Sequence, residues 1–124
     1  RRVVQSRHPY RNNVDREEIV SIKDAQSLII TFDISKCSTQ SEEDYVQLFK
    51  LSNKRDPLTE RLYGPADGSN WPAEPISVSG DSLVVHFHSG SGGNGWGYRI
   101  NVLGTVLVTP LQWLVDFTQN ISWL

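Results

Sequence analysis

The chain has 124 residues and a formal net charge of −2, with 38% hydrophobic and 21% charged residues. This length fits one globular domain and excludes two ordinary ones. Twelve basic residues against fourteen acidic ones are unlike the balance of a protein that coats nucleic acid, so we expect no nucleic-acid partner. The sequence contains no run of 18 apolar residues, so we expect no insertion into a membrane.

Residues 1–15 form a polar segment in front of the predicted core. Five arginines fall within the first 16 residues: Arg1, Arg2, Arg7, Arg11 and Arg16. We interpret the segment as solvated, with a short strand near Val4 and with Tyr10 packed on the core. The alternative is an anion-binding patch. Three acidic residues between positions 15 and 18 offset the charge at once, which favours the solvated segment.

Residues 16–108 predict strands rather than helices. Their strand-like segments are rich in β-branched residues or alternate between apolar and polar positions. These segments cover residues 18–22, 27–34, 44–51, 76–78, 83–88 and 96–103. Turn-forming residues separate them, with hairpin connections predicted at 23–26 and 89–95. Short, turn-bounded strands with almost no helix predict an all-β fold, an antiparallel two-sheet β-sandwich.

Residues 109–124 differ from the rest and predict a helix. Thr109 supplies a capping hydroxyl, Pro110 occupies the first helical position, and Gln112 follows three residues after the cap. Apolar residues then recur with helical spacing. We expect this helix to lead out of the sandwich toward the next part of a longer parent chain.

No arrangement typical of a catalytic site is present in the sequence, so we expect no enzyme activity. The glycine-rich stretch 90–97 lacks the Lys-Ser/Thr of a phosphate-binding loop and precedes a strand. His86 and His88 alternate along one strand and should share a face, but the sequence offers no clear third metal ligand.

Oxygen-bearing side chains at strand ends predict a candidate calcium site. Asp33 ends the strongest strand, Asp44 opens the next, and Asn94 lies in the glycine-rich loop. The ends of neighbouring strands can meet at one pole of a sandwich, and calcium takes six to eight oxygen ligands. The alternative is that these residues are turn residues and solvated acids.

Trp71 is the candidate aromatic anchor of a protein-binding surface, because aromatic side chains dominate interface energetics. Asn70 and Tyr63 lie near it in the sequence. The same residues could instead stack on a carbohydrate, or Trp71 could cap the core. Trp96 begins an alternating segment and is expected in the core.

Four stretches, in this order along the chain, resemble the CUB domain family. They are the apolar strand 28–32 leading into Asp33, then Asp44-Tyr45-Val46, then residues 83–89, and finally Gly95-Trp96-Gly97-Tyr98. The resemblance covers about residues 16–103. It implies a two-layered CUB-like jelly roll that binds protein. Such domains are typically extracellular, and many bind calcium at one pole.

The resemblance also assigns the positions of the calcium ligands. The family uses an acid after the apolar strand, the aspartate of Asp-Tyr, and an aspartate after the serine of the later strand. Asp44 matches the second position and Asp33 lies near the first. The third position matches Gly90, which has no side chain.

Cys37 is the single cysteine, so the paired cysteines of the family are missing. In this respect the chain resembles cysteine-poor CUB-like sandwiches in very large intracellular proteins of the ubiquitin-ligase and zinc-finger scaffold type. That implies a cytoplasmic, non-catalytic module that binds a protein partner or neighbouring domains of its own chain. The alternatives are a calcium-dependent extracellular adhesion module, favoured by the glycosylation triplet Asn120-Ile121-Ser122, and a carbohydrate-binding sandwich.

Overall fold

The computed structural model describes residues 1–50, 56–66 and 70–106, and these form two packed antiparallel β-sheets. The seven strands are β1 (Arg2–Gln5), β2 (Asp15–Ser21), β3 (Ser27–Phe32), β4 (Tyr45–Phe49), β5 (Ile76–Ser79), β6 (Ser82–His88) and β7 (Arg99–Thr105). A single turn of 3-10 helix, Ile34–Lys36, follows β3. The predicted all-β sandwich is confirmed, and the helix predicted at 109–124 lies outside the described residues.

The strands alternate between the two sheets along the chain. One sheet has the order β1-β7-β3-β5 and the other the order β2-β6-β4. No described strand therefore pairs with its neighbour in the sequence. The connections at 23–26 and 89–95 carry the chain from one sheet to the other, so the two hairpin predictions are wrong.

The connection from β2 to β3 (residues 22–26) and the connection from β5 to β6 (residues 80–81) form one corner of the sandwich. The Gly80 N–H donates to the Gln26 carbonyl at 2.8 Å, and the Ile22 N–H donates to the Asp81 carbonyl at 2.9 Å. Gly80 has a φ of 102° and can turn the chain there at no steric cost. Turn residues predicted where the chain reverses. They could not predict pairing partners, because a tight turn can join two stacked sheets as well as two adjacent strands.

The core lies between the sheets and is built from alternating residues. Leu28 and Ile30 of β3 are completely buried, while Thr31 between the inward positions is exposed. Val85 and Phe87 of β6 meet them from the other sheet. In β3 this alternation buries one face of the strand, as expected for stacked antiparallel sheets, whereas β6 is buried on both faces from Leu83 to Phe87.

The segment 1–15 belongs to the sandwich rather than preceding it. Its strand β1 forms the edge of the four-stranded sheet, and Tyr10 is 1% exposed within the core. Within the described residues, no helix is long and apolar enough to cross a membrane.

Gly97 allows the end of β1 to lie directly against the chain before β7. Its φ is 120°, and a Cβ there would lie 1.9 Å from the Ser6 Oγ. That hydroxyl accepts a hydrogen bond from the Tyr98 N–H at 3.1 Å. A side chain at position 97 would therefore break the contact that fixes this end of the sandwich.

Candidate binding surface at the loop pole

Three strands end and three begin at one end of the sandwich, which we call the loop pole (residues 6–14, 33–44 and 89–98). The antiparallel register brings the end of β6 beside the beginnings of β2 and β4. The three predicted calcium ligands all lie in these connections. The predicted calcium site can therefore be compared directly with the arrangement of these three side chains at the loop pole.

A buried carboxylate holds the loop pole together. Asp44 is 0% exposed. Its Oδ2 accepts a hydrogen bond from the Tyr10 hydroxyl at 2.6 Å, and its Oδ1 accepts one from the Gly90 N–H at 2.7 Å. The Tyr10 hydroxyl in turn accepts a hydrogen bond from the Gln40 N–H at 2.9 Å. One carboxylate thus joins the N-terminal segment to the chain after β6.

Burial and the hydrogen bond to Asp44 raise the pKa of Tyr10 above its ordinary value. The hydroxyl therefore keeps its proton and serves as a donor to the carboxylate at neutral pH.

The other two predicted ligands have separate contacts. The side-chain amide of Asn94 donates to the Tyr10 carbonyl. Asp33 begins the turn of 3-10 helix and accepts a hydrogen bond from the Ser35 hydroxyl at 2.9 Å. The structure therefore brings Asp44 and Asn94 to Tyr10, but ties Asp33 to its own turn.

The residues of the loop pole do not fit a calcium cage. Both oxygens of Asp44 already accept short hydrogen bonds from the protein. Gly90 has no side chain, and a Cβ added to Gly90 would lie 2.6 Å from the Oε2 of Glu43. Among the described residues, no group of three or more His, Cys, Asp or Glu side chains could hold a metal ion. Calcium binding stays a prediction. In this structure Asp44 accepts hydrogen bonds that connect the loops.

Trp71 and Asn70 fasten the chain segment that carries Tyr63. The Trp71 ring is 2% exposed, packs 6.2 Å from the Phe32 ring, and donates through Nε1 to the Gly64 carbonyl at 3.3 Å. The Asn70 amide donates to the Tyr63 carbonyl at 3.0 Å. The predicted alternative, Trp71 as a core cap, describes this position. A ring buried in this way presents no face to a protein or a carbohydrate.

Tyr63 lines an open depression at the loop pole, which we call the pole depression. Its volume is about 1280 Å³, open solvent included. The lining includes Glu42, Glu43, Tyr45, Arg61, Tyr63 and His88. The depression therefore combines two tyrosines with two acidic side chains, an arginine and a histidine.

A cluster of stacked side chains forms one wall of the pole depression. The Arg61 guanidinium lies 4.4 Å above the Tyr45 ring, and that ring stacks on His88 at 5.3 Å. His86 and His88 share a face of β6, as the alternation predicted. Both face Asp15, whose Oδ1 lies 2.6 Å from the His86 Nε2 and 3.4 Å from the His88 Nδ1.

Sequence reasoning missed Asp15 as the partner of these histidines. In the register of the sheet, Asp15 lies directly opposite His88. The pairing would have been visible only if β2 had been predicted to begin at Asp15, but residues 15–17 are all charged and do not alternate with apolar residues.

Trp96 lies at the surface of the loop pole and not in the core, so its predicted position is wrong. It is half-buried, stacks on His8 at 3.4 Å, and has the Lys36 Nζ 5.5 Å from its ring. The reason is that β7 begins only at Arg99, so the alternation that fixes inward positions does not extend to Trp96.

Solved CUB domains share this fold. The CUB1-EGF-CUB2 domain of human MASP-1/3 matches with a TM-score of 0.70 at 16% identity, over 86% of this chain and 42% of that one. A MASP-1 CUB2 domain bound to Ca²⁺ matches with a TM-score of 0.55 at 18% identity, over 81% of this chain and 88% of that one. No family model matches the sequence. The chain is a CUB-like β-sandwich domain.

In sequence, the chain is similar to short segments of two far longer proteins. It is 31% identical over 100 residues to human E3 ubiquitin-protein ligase HERC2, which covers 81% of this chain and 2% of that protein. It is 33% identical over 100 residues to human zinc finger ZZ-type and EF-hand domain-containing protein 1, covering 81% of this chain and 3% of that protein. The chain therefore corresponds to a CUB-like domain of such large proteins.

Proposed function

We propose that this domain is a non-catalytic protein-interaction module of a larger, cytoplasmic protein, and that its partner binds in the pole depression. The fold and the relatives support a module that works inside a longer chain. The partner is a separate protein or a neighbouring part of the same chain. In this proposal the ligase activity named for the HERC2 relative resides in other parts of that protein.

The observation that carries this proposal is the composition of the pole depression. Glu42 and Glu43 are exposed, and among the described residues neither has a hydrogen-bond or ion-pair partner for its carboxylate. Tyr63 is half-buried and lines the same depression, whereas the Tyr45 ring there is buried beneath the Arg61 guanidinium. Two exposed acids beside the Tyr63 ring suit a protein segment that presents a basic side chain next to an apolar one.

The state of Cys37 supports a non-catalytic role in a reducing compartment. Its side chain is 0% exposed and donates to the Arg99 carbonyl at 3.7 Å. Burial raises the pKa of the thiol to about 11, so it stays protonated and is a poor nucleophile at neutral pH. A free buried thiol is ordinary in a cytoplasmic protein, whereas small secreted domains usually pair their cysteines.

Selection of peptides against the 124-residue chain tests the proposal. Binders drawn from a random displayed library should shift the backbone amide signals of residues 42–45, 61–63 and 88–91. Tyr63→Ser should weaken them about tenfold, because an interface aromatic often contributes 1 kcal/mol or more. The matched control is Leu103→Ser, which removes an exposed apolar side chain elsewhere.

The proposal fails if the selected peptides bind elsewhere or bind Tyr63→Ser as well as the unchanged chain. It also fails if Leu103→Ser weakens them equally, since that would indicate general hydrophobic adhesion. A thermal melt of each variant checks that the fold is kept.

A further inference from the structure

The two sheets of the sandwich differ in the faces that they turn away from the core. On the three-stranded sheet, the outward side chains of Phe49, Val84 and His86 are at most 6% exposed. On the four-stranded sheet, most of the outward side chains are in contact with solvent. The register places six of them side by side, and we call these six residues the open face: Val3, Ile29, Thr31, Ser77, Asn101 and Leu103.

The open face is apolar at its centre and contains no charged residue. Four large apolar side chains are exposed among the described residues, and two of them, Leu103 at 50% and Val3 at 39%, belong to this face. A third, Val106, directly follows β7 and is 60% exposed. Ile29 lies opposite Leu103 and is half-buried. Removing this apolar area from water would stabilise the folded chain.

The chain continues from the open face into an apolar segment. β7 carries Asn101 and Leu103 and is the last described strand, and residues 107–124 lie outside the described residues. Between positions 106 and 124, only Asp116 is charged. A segment of this composition gains stability when its apolar side chains are buried, so it needs a surface to pack on.

The helix predicted at 109–124 is amphipathic. At 3.6 residues per turn, Leu114, Phe117 and Ile121 fall on one broad apolar side. Asp116 and Gln119 fall on the opposite side. A helix of this kind buries its apolar side against another element of the fold and leaves the polar side in water.

The predicted helix and the open face have matching dimensions. Residues 109–124 as a helix would be about 24 Å long. β7 has seven residues and extends over about 23 Å. The link 106–108 can span about 10 Å when extended, which is close to the diameter of a helix. The link is therefore long enough for the chain to turn back after β7 and for the helix to cover that strand.

We propose that residues 109–124 form an amphipathic helix that turns back after β7 and docks its apolar side on the open face, antiparallel to β7. The occupant of this face is then a segment of the same chain. In this arrangement the helix completes the domain instead of leading out of it. Val3, Ile29 and Leu103 become part of a second apolar layer outside the four-stranded sheet.

A nitroxide label on the polar side of the helix tests the proposal in the 124-residue chain. The label is attached to a cysteine introduced by Gln119→Cys. Cys37 is buried and burial raises the pKa of its thiol to about 11, so it reacts slowly with the reagent. The label should broaden the amide signals of residues 31–32 and 99–102 far more than those of β2 and β4. The same sample with the nitroxide reduced is the reference.

A second label position tests the direction of the helix. Gln112 lies near the start of the predicted helix, and an antiparallel helix places it beside the end of β7. A label attached after Gln112→Cys should therefore broaden the amide signals of residues 27–29 and 103–105 most strongly. A pattern that is the same for both label positions would contradict a docked, antiparallel helix.

Glutamate substitutions on the two sheets give a matched comparison. Leu103→Glu places a carboxylate beneath the helix, so it should abolish the broadening and lower the Tm by about 4 °C or more, because an unpaired charge is costly to bury. Ile19→Glu replaces a side chain that is 61% exposed on the other sheet and should change neither. Phe117→Glu changes the helix instead of the sheet and should also abolish the broadening, which keeps the test valid if Leu103→Glu does not fold.

Three outcomes would overturn the proposal. Weak broadening throughout the sandwich would show that the segment leads away from it. Broadening in a mixture of labelled chains with separate isotope-enriched chains would identify a second copy as the occupant. Equal effects of Leu103→Glu and Ile19→Glu would show that the open face holds no helix. The open face shares no residue with the pole depression, so these results are independent of peptide binding there.

Discussion

The core between the sheets and the loop pole are stabilised by different kinds of interaction. In the core, apolar side chains at alternate strand positions, such as Leu28 and Ile30, are wholly buried against the facing sheet. At the loop pole, one carboxylate accepts hydrogen bonds from residues 34 and 46 positions away in the sequence. The core follows from local alternation, whereas the pole depends on three distant segments meeting at Asp44.

This difference predicts different tolerance to substitution. Hydrophobic burial is non-directional, so the core should respond to volume. A buried hydrogen-bond network is directional, and removing one member leaves the others unsatisfied.

The largest effect is expected in the core. Ile30→Ala should lower the free energy of unfolding by about 2–5 kcal/mol, because it leaves a cavity between the sheets. Chemical denaturation measures this loss. The control is Thr31→Ala in the same strand, which should cost less than about 1 kcal/mol because Thr31 is exposed. Equal losses for the two variants would contradict the assignment of the inner face of β3.

A smaller effect, but a coupled one, is expected at the loop pole. Tyr10→Phe and Asp44→Asn should each lower the free energy of unfolding by about 1–3 kcal/mol, since each leaves a buried polar group without its partner. The double variant should cost clearly less than the sum. A coupling energy of about 0.5–3 kcal/mol in the double-mutant cycle would confirm the network, while strict additivity would show that the two side chains act independently.

Much of the core was predictable from the sequence, because alternation is a local signal. The segment around Leu28 and Ile30 predicted a buried strand, and the structure has β3 there. The pairing of strands was not predictable in this way. Turn residues at 23–26 mark a reversal, but they do not say whether the next strand lies beside the last one or across the sandwich.

The candidate sites were predictable only in part. The sequence placed Asp44 and Asn94 near one pole, and both do contact Tyr10. It could not give the role of the carboxylate, because a metal ligand and a hydrogen-bond acceptor carry the same oxygens. The two tryptophans were equally hard to place, because the residue type does not tell a buried ring from a surface one. Trp71 is buried, whereas Trp96 lies at the surface.

Alkaline pH should destabilise the folded chain through groups buried at the edge of the core. Burial raises the pKa of Cys37 from 9.0 to about 11 and that of Tyr98 from 10.0 to about 12. Above pH 9 the unfolded chain loses protons that the folded chain keeps. The contribution of these two groups to the free energy of unfolding should therefore be fully present below pH 9 and be lost as the pH rises to about 12.

Urea denaturation at pH 8, 9.5 and 10.5 measures this fall. Cys37→Ala should remove the part that begins near pH 9 and leave the part due to Tyr98. A stability that is constant up to pH 10.5 would contradict the burial of both groups.

The smallest effect is expected from calcium, and it decides what Asp44 does. The carboxylate is already engaged by the Tyr10 hydroxyl and the Gly90 N–H, so millimolar calcium and excess chelator should give the same Tm. A cation bound only by the folded state at a hundredfold excess over its Kd would add about 2.7 kcal/mol, which a thermal melt detects easily. If calcium raises the Tm and Asp44→Asn abolishes that rise, Asp44 is a metal ligand. The loop pole would then be held by a cation rather than by hydrogen bonds, and the extracellular adhesion alternative would replace the cytoplasmic module.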